Sequence, residues 1–254
     1  MQPGRLEMIR DYIIKKGEVE VSELCAAFPS VCAMTVRRDL AKLEGDNVII
    51  RTHGGARVNP AAIGALESFY IDRESVNTAQ KNAIARKAVR FIEDRRSIYI
   101  DSGTTLMAFI RHIPANISLT ALTSAPNAAL DLGLRLPGCT VLLTGGRLNS
   151  KTLSCSGHGC VETLRGINVD TAFMCASGYT RGAGFTVGEF QECELKRAVV
   201  AQAERIVMLM DTSKLGVTMP YTFAAPSDID VLVTDGEMSP EAMTSFKDKG
   251  VEVL

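Results

Sequence analysis

Several features that assign a function immediately are missing from this chain of 254 residues. Its uninterrupted apolar runs, such as 206–210, are far shorter than the roughly 20 residues that cross a bilayer. Acidic residues near the amino end stand where a secretory signal would be apolar. These absences favour a globular protein that works in the cytoplasm.

The cysteines and histidines give no sign of a disulfide framework, a metal site or a catalytic triad. Seven cysteines, an odd number at irregular spacing, indicate reduced thiols that pack as small hydrophobes. Cys155, His158 and Cys160 lie close together, but a zinc site needs a fourth ligand at recognisable spacing. His112 has no nucleophile and carboxylate arranged beside it. We expect no metal and no cofactor.

Charge of one sign is also lacking. The formal net charge is −1, and residues 1–57 hold nine Lys and Arg against eight Asp and Glu. Neither part of the chain is basic enough to indicate nucleic-acid binding by its net charge. Any DNA-binding hypothesis therefore depends on where the charges lie.

The segment 34–43 predicts a short helix with an apolar back and a basic front. Its apolar side chains fall within about 60° of one another on a helical wheel, and its basic ones lie opposite or beside them. The apolar positions are Val36, Leu40 and Leu43, and the basic positions are Arg37, Arg38 and Lys42. The alternative is an ordinary amphipathic helix whose charges are merely solvated.

The surroundings of this helix predict a winged helix-turn-helix. Two helical patterns precede it, the first with Leu6, Ile9 and Ile13 on one face. After Gly45, a β-branched run at 48–51 leads into a turn at 52–55. The order helix, helix, turn, helix, strand, Gly-Gly turn, strand is that of a winged reader of duplex DNA.

In such a domain the last helix enters the major groove and the wing lies along the DNA backbone. We expect the basic side chains of the helix to contact phosphates and base edges, and those of the wing to hold the backbone. His53 belongs to the wing, where a structural role is the alternative. The predicted DNA-binding residues are Thr35, Arg37, Arg38, Lys42, Arg51, His53 and Arg57.

The remainder of the chain predicts a second, larger α/β domain. An Ala-rich stretch at 59–66 indicates a linker, and a helical pattern covers about 78–92. Short apolar runs then alternate with helical segments, which is typical of a mostly parallel sheet with helices on both faces. The runs are 97–100, 119–123, 141–143, 171–176, 205–210 and 231–234. We predict domains at 1–58 and 76–254, joined by a linker at 59–75.

Ligands of parallel sheets bind at the carboxyl ends of the strands, so the residues that follow each run are candidates for a binding site. The first run is followed by a Gly and three hydroxyls at a helix start, the outline of an anion site, although a plain capped helix is the alternative. Asp211 and Lys214 could bind sugar hydroxyls and phosphate, or could form an exposed salt-bridged turn. The predicted ligand-binding residues are Asp101, Ser102, Gly103, Thr104, Thr105, Thr123, Ser124, Gly145, Gly146, Ser177, Gly178, Asp211 and Lys214.

These motifs resemble one known family. The run 35–40, TVRRDL, followed by 51–56, RTHGGA, resembles the signature of the DeoR family of bacterial transcriptional regulators. Segments 101–105, 143–146, 156–157, 170–178 and 211–216 resemble the effector domain of that family, which is similar in fold to ribose-5-phosphate isomerase and glucosamine-6-phosphate deaminase. The resemblance implies a phosphorylated sugar or a related metabolite as effector.

The chain departs from the family pattern at three places. Val31 and Cys32 stand where Val-Ser is usual, so either Ser30 caps the helix or the cap is weaker. Ser124 stands where an Asn is usual, and Arg95 and Arg96 where a Gly is usual. The second departure removes an amide from the expected pocket.

The sequence thus predicts a homo-oligomeric repressor of carbohydrate-metabolism genes that binds operator DNA and senses a sugar phosphate. An oligomer is expected because one winged domain reads few base pairs. The alternatives are a sugar-phosphate isomerase or deaminase with an added DNA-binding domain, and an interaction module that has lost its ligand.

Overall fold

The computed structural model describes residues 4–45, 48–59, 69–236 and 238–254. The chain divides into two compact units, 1–67 and 68–254. Residues 60–68 of the predicted linker lie outside the described residues. None of the described helices combines the length and apolar character needed to cross a bilayer.

The first unit has the predicted helices, the predicted wing and one additional strand. In chain order its elements are α1 (Arg5–Lys16), β1 (Glu18–Glu20), α2 (Val21–Ala27), α3 (Ala33–Gly45), β2 (Ile49–Arg51) and β3 (Gly55–Val58). The strands form an antiparallel sheet in the order β1-β3-β2. Strand β1 was not predicted, because only Val19 of its three residues is buried.

A small apolar core holds these elements together. The side chains of α1 and α3 that were predicted to face inward are fully or almost fully buried, except for Leu6, which is only partly buried at the edge of the cluster. Residues from α2 and the wing complete the cluster. Its buried members are Ile9, Ile13, Val19, Leu24, Val36, Leu40, Leu43, Ile49 and Ala56. The apolar back of α3 is therefore used for packing, which leaves its other face available.

Cys32 occupies the position that caps α3. Its carbonyl oxygen accepts the backbone N–H groups of Thr35 (2.9 Å) and Val36 (3.1 Å), and the helix begins one residue later. The Cys32 Sγ atom lies 3.2 Å from the Thr35 hydroxyl. A thiol thus stands where N-caps usually carry a hydroxyl or carboxylate, and Ser30 is not the cap.

The wing depends on a close approach of two backbones at Gly55. A Cβ atom built on Gly55 would lie 2.1 Å from the carbonyl oxygen of Val19, which belongs to the neighbouring strand β1. Gly54 precedes it with a φ of +117°, a conformation that only glycine adopts without strain. The two glycines of the turn therefore have different roles, one in conformation and one in packing.

The second unit is the predicted α/β domain. Its elements in chain order are α4 (Tyr70–Ser75), α5 (Thr78–Ala88), β4 (Ser97–Ile100), α6 (Thr104–Ile110), β5 (Leu119–Thr123), α7 (Pro126–Arg135), β6 (Cys139–Leu143), β7 (Arg147–Asn149), β8 (Ser154–Ser156), α8 (His158–Arg165), β9 (Thr171–Met174), β10 (Gly178–Thr180), β11 (Gly184–Val187), α9 (Phe190–Gln202), β12 (Arg205–Leu209), β13 (Tyr221–Ala224), β14 (Val231–Val233), α10 (Pro240–Lys247) and β15 (Glu252–Val253). Helix α4 falls within the range 59–75 that was predicted as linker, and its Tyr70 is buried.

A seven-stranded parallel sheet in the order β15-β14-β12-β9-β4-β5-β6 forms the centre of this unit. All six predicted strands belong to it, so the predicted fold class is confirmed. Strand β15, the antiparallel sheet β10-β11-β13 and the hairpin β7-β8 were not predicted.

The parallel sheet is covered on both faces. Side chains from α5, α6 and α7 pack on one face around Ile98 and Ile100. Side chains from α8, α9, α10 and the small antiparallel sheet pack on the other face around Tyr99. Because side chains alternate along a strand, the residue that follows Ile100 lies on the Tyr99 face.

Substitution of Gly55 by Ala should destabilise the first unit. The added methyl group would meet the Val19 carbonyl, so β1 or β3 must move, at a cost of about 1–3 kcal/mol in the free energy of unfolding. Urea unfolding of the full chain, followed by circular dichroism, measures this. Gly45→Ala is the matched control, because a Cβ there meets no atom within 4 Å and alanine favours the helix. Equal midpoints for the two variants would contradict the packing role.

Candidate functional site

The outward face of α3 carries cations that the protein does not neutralise. Arg37, Arg38 and Lys42 are all exposed. Within the part of the chain that the structure describes, their side chains make no hydrogen bond or ion pair. Three such charges on one helix face are available to an anionic partner such as the DNA backbone.

The one acidic side chain in the middle of α3 is turned away from this face. Asp39 is buried and accepts hydrogen bonds from Arg5 of α1, at 2.8 Å from Nε and 3.1 Å from Nη2. Two parallel hydrogen bonds between a guanidinium and a carboxylate fix the orientation of both side chains as well as pairing their charges. Asp39 therefore fixes α3 against α1 and removes a negative charge from the basic face.

Thr35 lies at the start of α3, half-buried, with its hydroxyl against Cys32. That hydroxyl, followed by the backbone N–H groups of Thr35 and Met34, lowers the pKa of the exposed Cys32 thiol. Thr35 thus contributes to the first turn of the helix.

The wing residues are exposed but not equivalent. Arg51 lies 3.7 Å from the carboxylate of Glu44, which also accepts the Arg51 backbone N–H at 3.2 Å. His53 is at the exposed turn, and Arg57 is exposed on β3, opposite Ile50. Neither side chain has an ion pair within the described residues. Arg51 therefore fastens the wing to α3, whereas Arg57 and His53 are available.

The predicted ligand residues follow five adjacent strands of the parallel sheet. In the order of the sheet, Asp211 follows β12, Ser177 comes three residues after β9, Asp101 follows β4, Ser124 follows β5 and Gly145 comes two residues after β6. The predicted convergence of these segments at one edge is therefore present. Their side chains, however, are employed in different ways.

Asp101 is the centre of a buried polar cluster. Its Oδ1 atom accepts the Ser102 N–H at 2.9 Å, and its Oδ2 atom accepts the Cys175 N–H at 3.1 Å and the Lys196 ammonium. The side chains of Asp101 and Lys196 are both 2% exposed. Asp101 thus ties β4, the segment after β9 and helix α9 together rather than facing an open pocket.

Lys196 is a fully buried cation that remains charged. Burial lowers its pKa, but the nearby Asp101 carboxylate, the Cys175 thiol and Glu192 raise it, and the net result lies well above the ordinary lysine value. Its Nζ atom also donates to the Cys175 carbonyl at 3.1 Å and lies 3.4 Å from Glu192. Neither Lys196 nor Glu192 was predicted as a site residue. The spacing of four residues on a helix was the only sequence signal.

The hydroxyls after β4 are not used by the residues that the structure describes. Ser102, Thr104 and Thr105 are 6, 9 and 8% exposed, and within the described residues their side chains make no hydrogen bond. The cap position of α6 is Gly103, with a φ of +131° and no side-chain cap. The alternative of a plain capped helix start is therefore not observed. Because α6 has only seven residues, hydroxyls rather than a helix dipole would bind an anion here.

Two hydroxyls after β5 point to opposite faces. Thr123 accepts the backbone N–H of Ala125 at 3.1 Å and is fully buried. Ser124 accepts a hydrogen bond from the Tyr99 hydroxyl at 3.0 Å, on the face that also holds Asp101. Burial raises the pKa of Tyr99, so its hydroxyl is protonated and donates. Ser124 keeps its own proton free to donate.

The glycines at the strand ends serve mainly close packing. A Cβ atom on Gly146 would lie 2.4 Å from Cys160 Sγ, and one on Gly178 would lie 2.4 Å from the Val217 carbonyl oxygen. By contrast, a Cβ atom on Gly145 would meet nothing within 4 Å. The Ser177 N–H donates to Thr186. Of these residues, Gly145 borders open space.

Lys214 ends the 3₁₀ turn Thr212–Lys214, and Asp211 precedes it. The alternative of a salt bridge between Asp211 and Lys214 is not observed. Asp211 caps the turn by accepting the Ser213 N–H at 3.0 Å. Lys214 is half-buried and has no ion pair within the described residues. The charges of both residues act on Lys81 of α5, whose pKa burial lowers. Lys214 is therefore a cation near the strand ends that an anion could use.

The remaining candidates do not form a metal site. Cys155 and Cys160 are buried, whereas His158 is exposed and lies 3.8 Å from Glu162. Among the described residues, no group of three or more His, Cys, Asp or Glu side chains could hold a metal ion. Burial raises the pKa of the Cys175 thiol to about 12, so it is protonated at neutral pH.

Removal of the buried cation should destabilise the second unit strongly. Lys196→Met leaves Asp101 as an uncompensated buried charge, at an expected cost of about 3–5 kcal/mol in the free energy of unfolding. Because the Lys196 pKa is raised, its contribution is fully present at neutral pH and is lost only as the pH rises through that raised pKa. Urea unfolding at pH 7 measures the loss.

The double variant Asp101→Asn, Lys196→Met should cost less than Lys196→Met alone, since no buried charge remains. Lys249→Met, at an exposed lysine, is the matched control and should leave the midpoint unchanged. A loss no larger than that of the control would contradict the role of Lys196.

Two family models match the chain, one for each unit. Residues 5–61 match the DeoR-like helix-turn-helix domain, and residues 76–236 match the DeoR C-terminal sensor domain. The match to the sensor domain alone covers more than half of the chain.

Curated relatives match over nearly their whole length. The chain is 33% identical to the HTH-type transcriptional repressor GlcR of Bacillus subtilis, over 100% of this chain and 96% of the relative. It is 28% identical to a putative aga operon transcriptional repressor of Escherichia coli O157:H7, over 98% and 92%.

Among solved structures, ribose 5-phosphate isomerase A of Methanocaldococcus jannaschii is 20% identical over 55% of each chain, with a TM-score of 0.41. The helix-turn-helix domain implies binding to DNA, and the sensor domain implies a small-molecule effector. The chain belongs to the DeoR family of DNA-binding transcriptional regulators and not to a family of enzymes.

Proposed function

We propose that this regulator represses carbohydrate-metabolism genes in the cytoplasm as a homo-oligomer and is controlled by a phosphorylated sugar. The observation that carries the proposal is the unneutralised basic face of α3, formed by Arg37, Arg38 and Lys42. The names of two relatives, both called repressors, support repression rather than activation.

On the DNA side, α3 enters the major groove, with Arg37, Arg38 and Lys42 contacting phosphates and base edges. Thr35 supports the first turn of the helix, and Arg57 and His53 hold the wing to the backbone. Arg51 contributes less directly, because it is paired with Glu44. One such domain covers only a few base pairs, so a symmetric pair of domains supplies useful specificity.

On the effector side, the phosphate group binds the hydroxyls of Ser102, Thr104 and Thr105, together with Lys214. These residues are largely buried, and within the described residues their hydroxyls make no hydrogen bond, so the hydroxyls are available to a ligand. Ser124 and the backbone at Gly145 face the sugar. Asp101 and Thr123 position other parts of the protein and do not contact the effector, because their oxygens already accept hydrogen bonds from the protein.

Control of DNA binding requires that the effector prefer one arrangement of the oligomer. Binding in the sensor domain shifts the relative placement of two DNA-binding domains and weakens their joint contact with the operator. To move the population substantially, the effector must discriminate between the two arrangements by a few kcal/mol.

The isomerase alternative finds no support in the polar cluster. A general base must be able to reach a proton on the substrate. The Asp101 carboxylate is committed to Lys196 and two backbone N–H groups, and that of Asp211 to Ser213. Both oxygens of Asp101 and the Oδ1 atom of Asp211 are thus already engaged by the protein.

Loss of one arginine from α3 should weaken specific DNA binding without unfolding the domain. Arg38→Ala is expected to cost about 1–3 kcal/mol of binding free energy. The measurement is a gel-shift titration at fixed salt, on duplexes that the wild-type protein selects from a random pool. Arg10→Ala, which removes a surface arginine of α1 paired with Asp11, is the matched control. Wild-type affinity for Arg38→Ala would refute the proposed contact.

Loss of one hydroxyl at the phosphate site should reduce effector binding alone. Thr104→Val keeps the shape of the side chain and removes one hydrogen bond to a charged group, worth about 1.5–3 kcal/mol. Thermal-shift titrations with ribose 5-phosphate, fructose 1-phosphate, fructose 6-phosphate and glucosamine 6-phosphate test this against the unphosphorylated sugars. DNA affinity should remain that of the wild type. If effector and DNA binding are both lost, Thr104 is structural.

A further inference from the structure

Thr144 carries a buried hydroxyl that the protein leaves unsatisfied. Thr144 directly follows β6, and the residue is 3% exposed. Within the described residues, its Oγ1 atom is buried and has no hydrogen-bond partner. Its backbone N–H donates to the Thr123 carbonyl at 3.0 Å, so the residue is held in the sheet while its hydroxyl is not used.

The strand register places this hydroxyl beside Ser124. Leu122 of β5 pairs with Leu142 of β6, and both pack in the cluster on the Tyr99 face of the sheet. Ser124 and Thr144 are each two residues further along the chain, directly after β5 and β6, and the hydrogen bond from the Thr144 N–H to the Thr123 carbonyl continues the pairing there. Because side chains alternate, both lie on that same face, next to each other. The Tyr99–Ser124 hydrogen bond confirms this orientation for Ser124.

The residue that follows Thr144 borders open space. Gly145 follows it with a φ of +71°, and a Cβ atom there would meet nothing within 4 Å. Adjacent strands are about 4.8 Å apart, so the hydroxyls of Ser124 and Thr144 are spaced like hydroxyls two or three carbons apart on a sugar. A buried hydroxyl without a partner is rare in native proteins and calls for a ligand or an ordered water.

We propose that Thr144, together with Ser124, binds sugar hydroxyls of the effector at the end remote from its phosphate group. The inference rests on the proposed function and adds a specificity residue that recognises a polyol rather than an anion. Ser124 donates, since it already accepts from Tyr99, and Thr144 both donates and accepts. The phosphate is bound at Ser102, Thr104 and Thr105, on the loop after β4.

The test compares Thr144→Val with Thr140→Val, a matched control whose exposed hydroxyl lies on the same strand. The probes are ribose 5-phosphate, fructose 1-phosphate, fructose 6-phosphate, glucosamine 6-phosphate and inorganic phosphate. Thr144→Val should reduce the affinity for the best sugar phosphate roughly threefold to tenfold, the value of one neutral hydrogen bond. The affinity for inorganic phosphate should not change. Thr144→Ser, which restores a hydroxyl, should recover sugar-phosphate binding.

Stability of the empty protein provides a readout that needs no effector. Removal of an unsatisfied hydroxyl should leave the urea midpoint of Thr144→Val equal to or higher than that of the wild type. A lower midpoint would mean that the hydroxyl is satisfied by bound water or by protein, and would overturn the inference. Equal losses for the sugar phosphate and inorganic phosphate would also overturn it, because Thr144 would then act on the anion.

The outcomes also separate this inference from the proposed function. If the wild type binds sugar phosphates and Thr144→Val binds them equally well, only the role of Thr144 is wrong. If the wild type responds to none of the sugar phosphates, the proposed effector class is wrong, and the proposed role of Thr144 is then wrong as well.

Discussion

The second unit depends on the buried ion pair between Asp101 and Lys196. A charge in the interior is tolerated only when an opposite charge and hydrogen bonds compensate its lost hydration. The cluster meets this condition with two backbone N–H groups, the Cys175 carbonyl and the Glu192 carboxylate. Because these partners come from β4, the segment after β9 and α9, the pair fixes the positions from which the loop hydroxyls are presented.

The two units use charge in opposite ways. On α3 the cations are exposed and unneutralised, and the acid Asp39 is withdrawn into a hydrogen-bonded pair with Arg5. In the α/β unit the charges of Asp101 and Lys196 are buried and compensate each other, whereas the loop after β4 carries neutral hydroxyls. A basic surface suits a polyanion that is bound along its length. Neutral hydroxyls, with Lys214 as the one proposed cation, suit a small ligand that must be released again.

Much of the fold could be predicted from the sequence, because apolar periodicity reports burial directly. The six runs from 97–100 to 231–234 became parallel strands, and the back of α3 is buried as its spacing indicated. Strand β15 has two residues, too few for a pattern, and β10 and β11 begin at glycines that close packing requires. The location of the site at the strand ends could be predicted. Which of its side chains are available to a ligand could not be predicted. Asp101 was predicted as a ligand residue and Lys196 was not singled out, because only tertiary contact pairs them.

The order of the parallel sheet has a consequence for where a small molecule can enter. From β4 the chain winds through β5 to β6 with its helices on one face, and from β9 it winds through β12 and β14 to β15 with its helices on the other. The direction of winding therefore reverses between β4 and β9. The connections that leave these two neighbouring strands diverge, which is the arrangement at the switch points where open parallel sheets bind their ligands. Topology alone thus favours ligand binding near the strand pair that Asp101 and Cys175 join, independently of the side chains.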